Sequence, residues 1–179
     1  ITTTDYAEAK LYEAGKSAIP DFYGGLSTSL KAYGFDFSLQ TAFQLGGYVY
    51  DNVYASLMDA GTPGTNWSTD IYKRWTPGNT DTDVPRVSSG DQNVNASSTR
   101  FLTSASYFSL RNITLGYTFP KKMLNKYKIE SLRIYAVGDN LWFLSARQGL
   151  DPRQTFTGVT NSGSYSALRT TSLGLSVSF

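Results

Sequence analysis

The last fourteen residues of the chain, SALRTTSLGLSVSF, constrain its fold more than any other stretch. From Thr170 onward every second residue is hydroxyl-bearing or glycine, and the residues between them are mostly apolar: Leu173, Leu175, Val177 and Phe179. This period of two indicates a β-strand with one apolar and one small polar face. At ~3.3 Å per residue and a tilt of ~45°, the stretch spans roughly 30 Å, enough for the apolar band of a membrane barrel. The pattern fits a wall between lipid and a wet lumen, and it fits an edge strand of a soluble protein equally well.

Composition favours strands and argues against several classes of function. Aromatic residues make up 15% of the 179-residue chain, charged residues 17%, and there are 16 glycines, which favour strands and turns. The chain has no His and no Cys, which removes the commonest general base, the commonest zinc ligand and thiolate chemistry. The net charge of +2, without a basic patch among stacking aromatics, gives no argument for nucleic acid. We therefore expect no enzyme, no cofactor and no nucleic-acid partner.

The chain shows neither a targeting segment nor a membrane-spanning helix. Its first residues, ITTTD, lack the charged and apolar regions of a secretory signal. No stretch approaches the ~18 consecutive apolar residues that a transmembrane helix needs. If the chain lies in a membrane, it does so by strands, and we expect its export signal upstream of residue 1.

Four further stretches alternate like the terminal one, so that five strands are predicted in all. They cover residues 22–30, 35–44, 106–119, 131–144 and 166–179. A tight turn at residues 31–34 joins the first two strands into a hairpin. In the fourth strand, Leu132 and Ile134 set one parity, whereas Leu141 and Phe143 set the other. A bulge near Gly138 would place all four on one face.

Long and short connections alternate along the chain. The long loops are residues 1–21, 45–105 and 145–165, and the short turns are residues 31–34 and 120–130. Short helices are predicted at residues 6–13, 48–60 and 70–75. A loop of 61 residues is unusual in a compact soluble domain, whereas transmembrane barrels combine long extracellular loops with short periplasmic turns. Because five strands cannot close a barrel, the sequence predicts an all-β chain that is the carboxyl-terminal part of a larger transmembrane antiparallel β-barrel.

Five segments carry a resemblance to a known family. They are KSAIPDFYGG (16–25), YGFDF (33–37), RWTPGN (74–79), SYFSLRNITLGY (106–117) and GDNL (138–141). Taken in this order, with an aromatic residue at the carboxyl terminus, they closely resemble the carboxyl-terminal barrel region of SusC/RagA-type TonB-dependent outer-membrane transporters. The resemblance extends from residue 16 to Phe179.

The resemblance implies a barrel of about 22 strands in the outer membrane of a Gram-negative bacterium, with this chain as its last five strands. It also implies an amino-terminal plug, energy supplied through the TonB complex, and a SusD-like surface lipoprotein that acts as a lid. The implied cargo is a nutrient, glycan oligosaccharides being expected ahead of peptides. The plug and the TonB-contacting segment are not in this sequence. Phe179 looks like the end of the signal that the outer-membrane insertion machinery reads.

Two sets of residues are candidates for contact with cargo. On the polar strand faces, parity selects Asp36, Gln40, Asn112 and Thr114. These side chains would contact passing cargo, contact the plug or face water, and the sequence does not rank the three. In the long loop, Trp67, Tyr72 and Trp75 are candidates for stacking on sugar rings or packing against the lid, although a role in holding the loop together is favoured over either.

The same loop contains a weak metal-binding pattern. Oxygen-bearing side chains occur at alternate positions: Asn79, Asp81 and Asp83, with Asp91 further on. The glycine and the distal glutamate of a calcium loop are missing, so no metal site is predicted.

Two other interpretations stay open at this point. One is a passive porin or adhesin barrel without a plug, and the other is a soluble secreted β-sandwich of the carbohydrate-binding type. Dependence on detergent separates the sandwich from either barrel. The sequence upstream of residue 1, with or without a plug domain, separates the two barrels.

Overall fold

The computed structural model describes residues 5–8, 14–59, 64–88, 96–155 and 157–179. In chain order the strands are β1 (Phe22–Ala32), β2 (Phe35–Leu45), β3 (Tyr48–Tyr50), β4 (Leu102–Ser104), β5 (Tyr107–Thr118), β6 (Ser131–Ser145) and β7 (Thr170–Ser178). The α-helices are α1 (Asn52–Leu57) and α2 (Lys121–Leu124). Among the described residues, no helix combines the length and the apolar character needed to cross a bilayer.

The chain divides into two compact units. The sheet unit comprises Ile19–Gly47, Ala105–Asp151 and Tyr165–Phe179. The loop unit comprises Ile1–Ala18, Tyr48–Ser104 and Pro152–Ser164.

The sheet unit is a five-stranded antiparallel sheet with the order β1-β2-β5-β6-β7. The turn between β1 and β2 consists of Tyr33 and Gly34, with φ angles of 52° and 87°. Two successive residues with positive φ form the kind of hairpin turn whose twist matches that of the strands. Gly34 is required there because a Cβ at this position would also lie 2.8 Å from the carbonyl oxygen of Thr118.

The strand register gives the sheet two chemically different faces. Directly opposed side chains lie on the same side of an antiparallel sheet. One row across the strands reads Phe37, Leu115, Ala136 and Leu173, and the adjacent row reads Asp36, Gly116, Tyr135 and Gly174. We call the first side the apolar face, with Phe22, Leu26, Leu30, Leu39, Ile113, Ile134, Leu175 and Val177 as further members. The other side is the polar face, with Ser27, Lys31, Gln40, Asn112, Thr114, Arg133, Asp139, Ser172 and Ser176 as further members.

The pairing of β6 is irregular next to Gly138, where a bulge is predicted, but the faces do not exchange there. Asn140, with φ 50°, and Leu141 have no partner in β5, and the ladder resumes with Trp142 opposite Leu110. The even-numbered residues of β6 that pair with β5 therefore stay on the apolar face. Phe143 lies on the polar face with its ring 5.8 Å from that of Tyr107, so the expectation that Phe143 shares a face with Leu132 is wrong. Leu141 follows the left-handed Asn140 and lies over Gly138, where an added Cβ would be 2.7 Å from its Cδ1, so its side chain is on the apolar face as expected.

The residue that changes the parity lies in β5 instead. Gln40 opposes Asn112 and the next residue, Thr41, opposes Leu110, so that Arg111 has no partner in β2. One extra residue in one strand shifts that strand's alternation by one position. This bulge keeps the apolar residues on both sides of Arg111 on the same face.

Strand β7 begins four residues later than the terminal stretch predicts. Its ladder with β6 ends at the pair Asp139–Thr170, next to Asn140. Because Asn140 has left-handed backbone, β6 cannot extend the ladder there in regular geometry. The side-chain amide of Asn140 instead donates to the carbonyl oxygen of Leu168 over 3.2 Å.

The loop unit has a core of its own that includes a strand pair, although no strand is predicted between residues 45 and 105. Strands β3 and β4 pair in an antiparallel ladder, and Phe101, Met58, Ile71, Val84 and Ala55 form a buried cluster. The predicted 48–60 helix is wrong at its start. Residues 48–50 are strand, and Asp51 caps α1 by accepting from the Tyr54 backbone N–H over 3.0 Å.

Two other predicted helices are short 3₁₀ turns. The one predicted at 70–75 is Thr69–Lys73, capped by Ser68, whose hydroxyl accepts from the Asp70 N–H. Of the one predicted at 6–13, Tyr6–Glu8 is a 3₁₀ turn, and residues 9–13 lie outside the described residues.

Candidate functional site

The polar face brings together the four strand residues selected by parity. Gln40 of β2 directly opposes Asn112 of β5, and Asp36 opposes Gly116 four residues further along both strands. Thr114 lies between them, opposite Ser38. These residues share one surface, which the sequence predicts, but Asp36 and Asn112 bond to residues of a third strand, β6.

Asp36 forms an ion pair that crosses β5. Arg133 of β6 donates from Nε to Asp36 Oδ1 over 2.9 Å and from Nη2 to Oδ2 over 2.5 Å. Such a bidentate arrangement is the strong form of the Arg–carboxylate interaction. The strand between the two partners contributes Gly116 at this level, where an added Cβ would lie 2.5 Å from Asp36 Oδ1 and 2.6 Å from Arg133 Nη2. The ion pair therefore depends on a glycine in the intervening strand.

The same lateral arrangement continues to the last strand. The guanidinium of Arg133 stacks over the ring of Tyr135, 4.6 Å from its centroid. The ring of Tyr135 lies over Gly174 of β7, where a Cβ would be 2.1 Å from Tyr135 Cζ. A carboxylate, a guanidinium and an aromatic ring thus lie flat across four strands, over two glycines. This packing keeps these three side chains close to the backbone of the sheet.

Asn112 belongs to a second polar network. Its Nδ2 donates to Asp139 Oδ1 of β6 over 2.7 Å, and its Oδ1 accepts from the Thr114 hydroxyl over 3.1 Å. Gln40 is exposed, and no hydrogen bond of its side chain is found among the described residues. Of the predicted lumen residues, Gln40 is therefore the one best placed to contact a molecule outside this chain.

Sequence reasoning missed Arg133, Tyr135 and Asp139 on this face. Gly116 and Gly174 were the available signal, because a glycine inside a strand often marks the close approach of another group. That signal does not say which side chain approaches. The answer requires the register between strands that are far apart in the sequence, since Asp36 and Arg133 are separated by 97 residues.

The three aromatic candidates belong to the loop unit and are all solvent-exposed. The exposed fractions are 39% for Trp67, 78% for Tyr72 and 42% for Trp75. Trp67 Nε1 donates to the Thr65 hydroxyl over 3.0 Å, and the Trp75 N–H donates to the Val84 carbonyl over 2.8 Å. None of the three contacts another aromatic ring in the part of the chain that the structure describes. They are available as separate flat surfaces rather than as one stacked cluster.

Asp70, two residues before Tyr72, already has partners in the loop unit. Asp70 accepts from the Tyr54 hydroxyl and from Lys73 Nζ, both over 2.9 Å. Hydrogen bonding to Asp70 raises the pKa of Lys73 above its ordinary value. No group of three metal-ligating side chains occurs among the described residues, and Asp91 lies outside them.

Phe179 follows directly after the last residue of β7. Its side chain is 89% exposed, and Leu173 and Leu175 of the same strand are 86% and 65% exposed. The terminal apolar series is thus a surface of this chain rather than part of a core.

The chain is similar in sequence to curated TonB-dependent receptors. No family model matches the chain. The TonB-dependent receptor P3 of Formosa agariphila is 29% identical over 170 residues, which are 89% of this chain and 16% of the relative. The TonB-dependent receptor SusC of Bacteroides thetaiotaomicron is 29% identical over 178 residues, 99% of this chain and 17% of the relative. The chain therefore spans about a sixth of the length of the curated relatives it matches.

Solved structures show the same fold. A chain of the RagAB peptide transporter superimposes with a TM-score of 0.78 at 24% identity, covering 96% of this chain and 19% of that chain. The RagAB peptide importer in its open-open state matches with a TM-score of 0.77. These proteins carry the names of receptors and transporters rather than of enzymes, in agreement with the interpretation that this chain is not catalytic.

The dependence of the ion pair on Gly116 gives a first prediction. In the full-length protein, Gly116→Ala forces Asp36 and Arg133 apart and should lower the free energy of unfolding by about 1–3 kcal/mol, since both groups stay on the polar face without their partner. Asp36→Asn should then cost much less in the Gly116→Ala background than in the wild type, measured as a double-mutant cycle. Gly78→Ala is the control, because a Cβ there meets no atom within 4 Å. Additive effects of Gly116→Ala and Asp36→Asn would contradict the arrangement.

Proposed function

We propose, from the confirmed resemblance of this chain to SusC/RagA-type TonB-dependent transporters, that it forms five strands of an outer-membrane barrel that imports nutrients. The apolar face contacts lipid, and the polar face lines the wet interior. Residues 1–21, 45–105 and 145–165 are extracellular loops that meet cargo and a lid. The short turns at 31–34 and 120–130 lie on the periplasmic side.

One observation carries this proposal: the apolar face is continuous over five strands and largely uncovered. Leu173, Leu26 and Leu115, on three different strands, have exposed fractions of 86%, 63% and 51%. Contiguous apolar surface of this extent is rare on soluble monomers and marks an interface with lipid or protein. The opposite face carries the Asp36–Arg133 ion pair and the hydrogen-bonded amide of Asn112, as expected for a surface in contact with water.

The edges of the sheet support a barrel rather than an isolated sheet. β1 and β7 each pair with one neighbour, so one side of each strand has no ladder partner within the described residues. In a bilayer, unpaired backbone groups cost several kcal/mol each, and closure of the barrel is the usual solution. The remaining strands come from the part of the full-length protein outside this chain.

The proposed energy source and partner are inferred from the relatives, which are named TonB-dependent receptors and SusC. The proposed importer is driven through the TonB complex, and a SusD-like surface lipoprotein covers its extracellular side. These names and the fold favour an active importer over a passive porin or adhesin barrel. The fold likeness to a chain of a transporter favours either barrel over a soluble β-sandwich.

The proposed cargo is a glycan oligosaccharide. Trp67, Tyr72 and Trp75 support it, because exposed aromatic rings are suitable surfaces for sugar rings. A peptide is the second candidate, favoured by the structural likeness to the RagAB peptide transporter.

Labelling of β7 tests the orientation of the two faces. Single cysteines at Leu173, Leu175 and Val177 of the full-length protein in liposomes should carry spin labels that report lipid. Labels at Ser172 and Ser176 should report water or contact with protein. Gly174 is not used, because any side chain there collides with Tyr135. Equal accessibility to water at both parities would rule out the membrane assignment.

Phe179 is proposed as the terminal element of the assembly signal. Packing alone predicts that Phe179→Ser costs at most ~1–3 kcal/mol, since the ring is at a strand end and exposed. We expect this variant to reduce the amount of assembled transporter in the outer membrane several-fold, while the melting temperature of the assembled fraction changes little. Phe179→Tyr, which keeps the ring, is the matched control. Unchanged assembly of Phe179→Ser would mean that Phe179 is only the last lipid-facing side chain.

Replacement of the loop aromatics tests the cargo. Tyr72→Ala and Trp75→Ala in the full-length protein should each weaken oligosaccharide binding roughly 2- to 10-fold, measured by calorimetry, because each removes one stacking surface. Tyr33→Ala is the control, since this ring is 98% exposed but lies in the short β1–β2 turn. Binding of peptides but of no oligosaccharide in a screen of both classes would select the second candidate.

A further inference from the structure

The extra residue of β5 is a charged one. Arg111 is omitted from the ladder with β2 and also from the ladder with β6. A bulge of this kind bends a strand and redirects a side chain, and such bulges are frequent beside binding sites. The bulge therefore sets the direction of the Arg111 side chain.

Arg111 lies on the polar face together with Asn112. Leu110 opposes Thr41 on the apolar face, and Asn112 opposes Gln40 on the polar face. Alternation from Leu110 places Arg111 on the polar side, so the bulge puts two consecutive side chains there. The sheet thus presents one more side chain toward the polar side than a regular strand would.

A concavity of this face surrounds Arg111. Small residues occupy its floor, because Gly25 of β1 directly opposes Ala42 of β2. The side chains around this floor are hydrogen-bonding ones: Tyr23, Gln40, Gln44 and Tyr107. No Asp or Glu lines the concavity among the described residues.

The guanidinium of Arg111 differs from that of Arg133 in having no partner. Arg133 is held by Asp36 and stacks on Tyr135. Within the described residues, Arg111 has no ion pair, hydrogen bond or ring contact. An unpaired guanidinium in a concavity with amide and phenol groups and no acid is a site for an anion.

We propose that the Arg111 concavity binds a carboxylate group of a molecule or segment outside this chain. A planar carboxylate accepts two parallel hydrogen bonds from one guanidinium, and the side-chain amide of Gln40 supplies a further donor. A single cation matches the single charge of a carboxylate, whereas a doubly charged phosphate calls for more cations than the one present. This inference rests on the proposed function, in which the polar face lines the lumen.

Two sources supply a carboxylate in that lumen. One is the cargo, through an acidic sugar or the end of a peptide, and the other is a segment of the full-length protein outside this chain. Both have the same chemistry, so the experiment identifies the group first and its source second.

The rate of chemical modification of Arg111 tests whether its guanidinium is occupied. The purified full-length transporter is treated with phenylglyoxal, and modification of Arg111 is followed by peptide mass spectrometry, with succinate as the carboxylate probe and succinamide as its neutral match. Arg86 is the internal control, being an exposed loop arginine for which no ion pair or hydrogen bond is found among the described residues. If cargo is the source, Arg111 reacts as fast as Arg86 without additive, and succinate, but not succinamide, slows it several-fold.

If a segment of the transporter itself is the source, Arg111 already reacts several-fold more slowly than Arg86 without additive. In that case Arg111→Gln should lower the melting temperature of the full-length protein, and Lys122→Gln, which removes a charge from the exposed helix α2 outside the concavity, should not. In the cargo case neither variant should change the melting temperature.

Two results would overturn the proposal. One is rapid modification of Arg111 that succinate does not slow. The other is slow modification without a change in melting temperature for Arg111→Gln, which indicates steric shielding alone. Either result can occur while the labels on β7 still report lipid and water, so failure of this site is distinguishable from failure of the barrel assignment.

Discussion

The antiparallel ladder of five strands is the constraint on which the other features depend. Each pair of opposed residues transmits the face assignment from one strand to the next, so that an error of one residue would exchange the faces of every strand beyond it. Arg111 is the one place in β5 where the count changes, and the pairing on both sides accommodates it. The result is a continuous apolar face and a continuous polar face.

The polar face is organised by glycines as much as by polar side chains. Gly116 and Gly174 leave room for Asp36, Arg133 and Tyr135 to lie along the sheet instead of projecting from it. In the proposed barrel, flat packing of this kind would leave the lumen free of these three side chains. In the Arg111 concavity, small residues again make room on this face, since Gly25 and Ala42 form its floor. There the space is next to a guanidinium that has no partner among the described residues and that we propose binds a carboxylate.

The loop unit is held together by hydrogen bonds as well as by a small buried cluster. Its buried cluster around Phe101 and Met58 is small, and short elements such as β3 and α1 are held by caps and by contacts distant in sequence. The Asp51 carboxylate accepts from the Thr160 hydroxyl as well as from the Tyr54 N–H, which joins segments 109 residues apart. A segment ordered in this way presents its exposed aromatic rings at fixed positions, which suits the proposed contact with cargo.

The sequence by itself determined the five long strands, the two faces of four of them and the resemblance to SusC/RagA-type transporters. Alternation such as that of Leu173, Leu175 and Val177 is a local pattern, and the motifs are contiguous segments, so neither needs knowledge of the fold. Only the tertiary structure decided that Asp36 meets Arg133, that Phe143 lies on the polar face, and that residues 48–50 are strand rather than helix. Each of these depends on the register between strands far apart in the chain. That register is set by the whole ladder and its bulge, and no local pattern of residues encodes it.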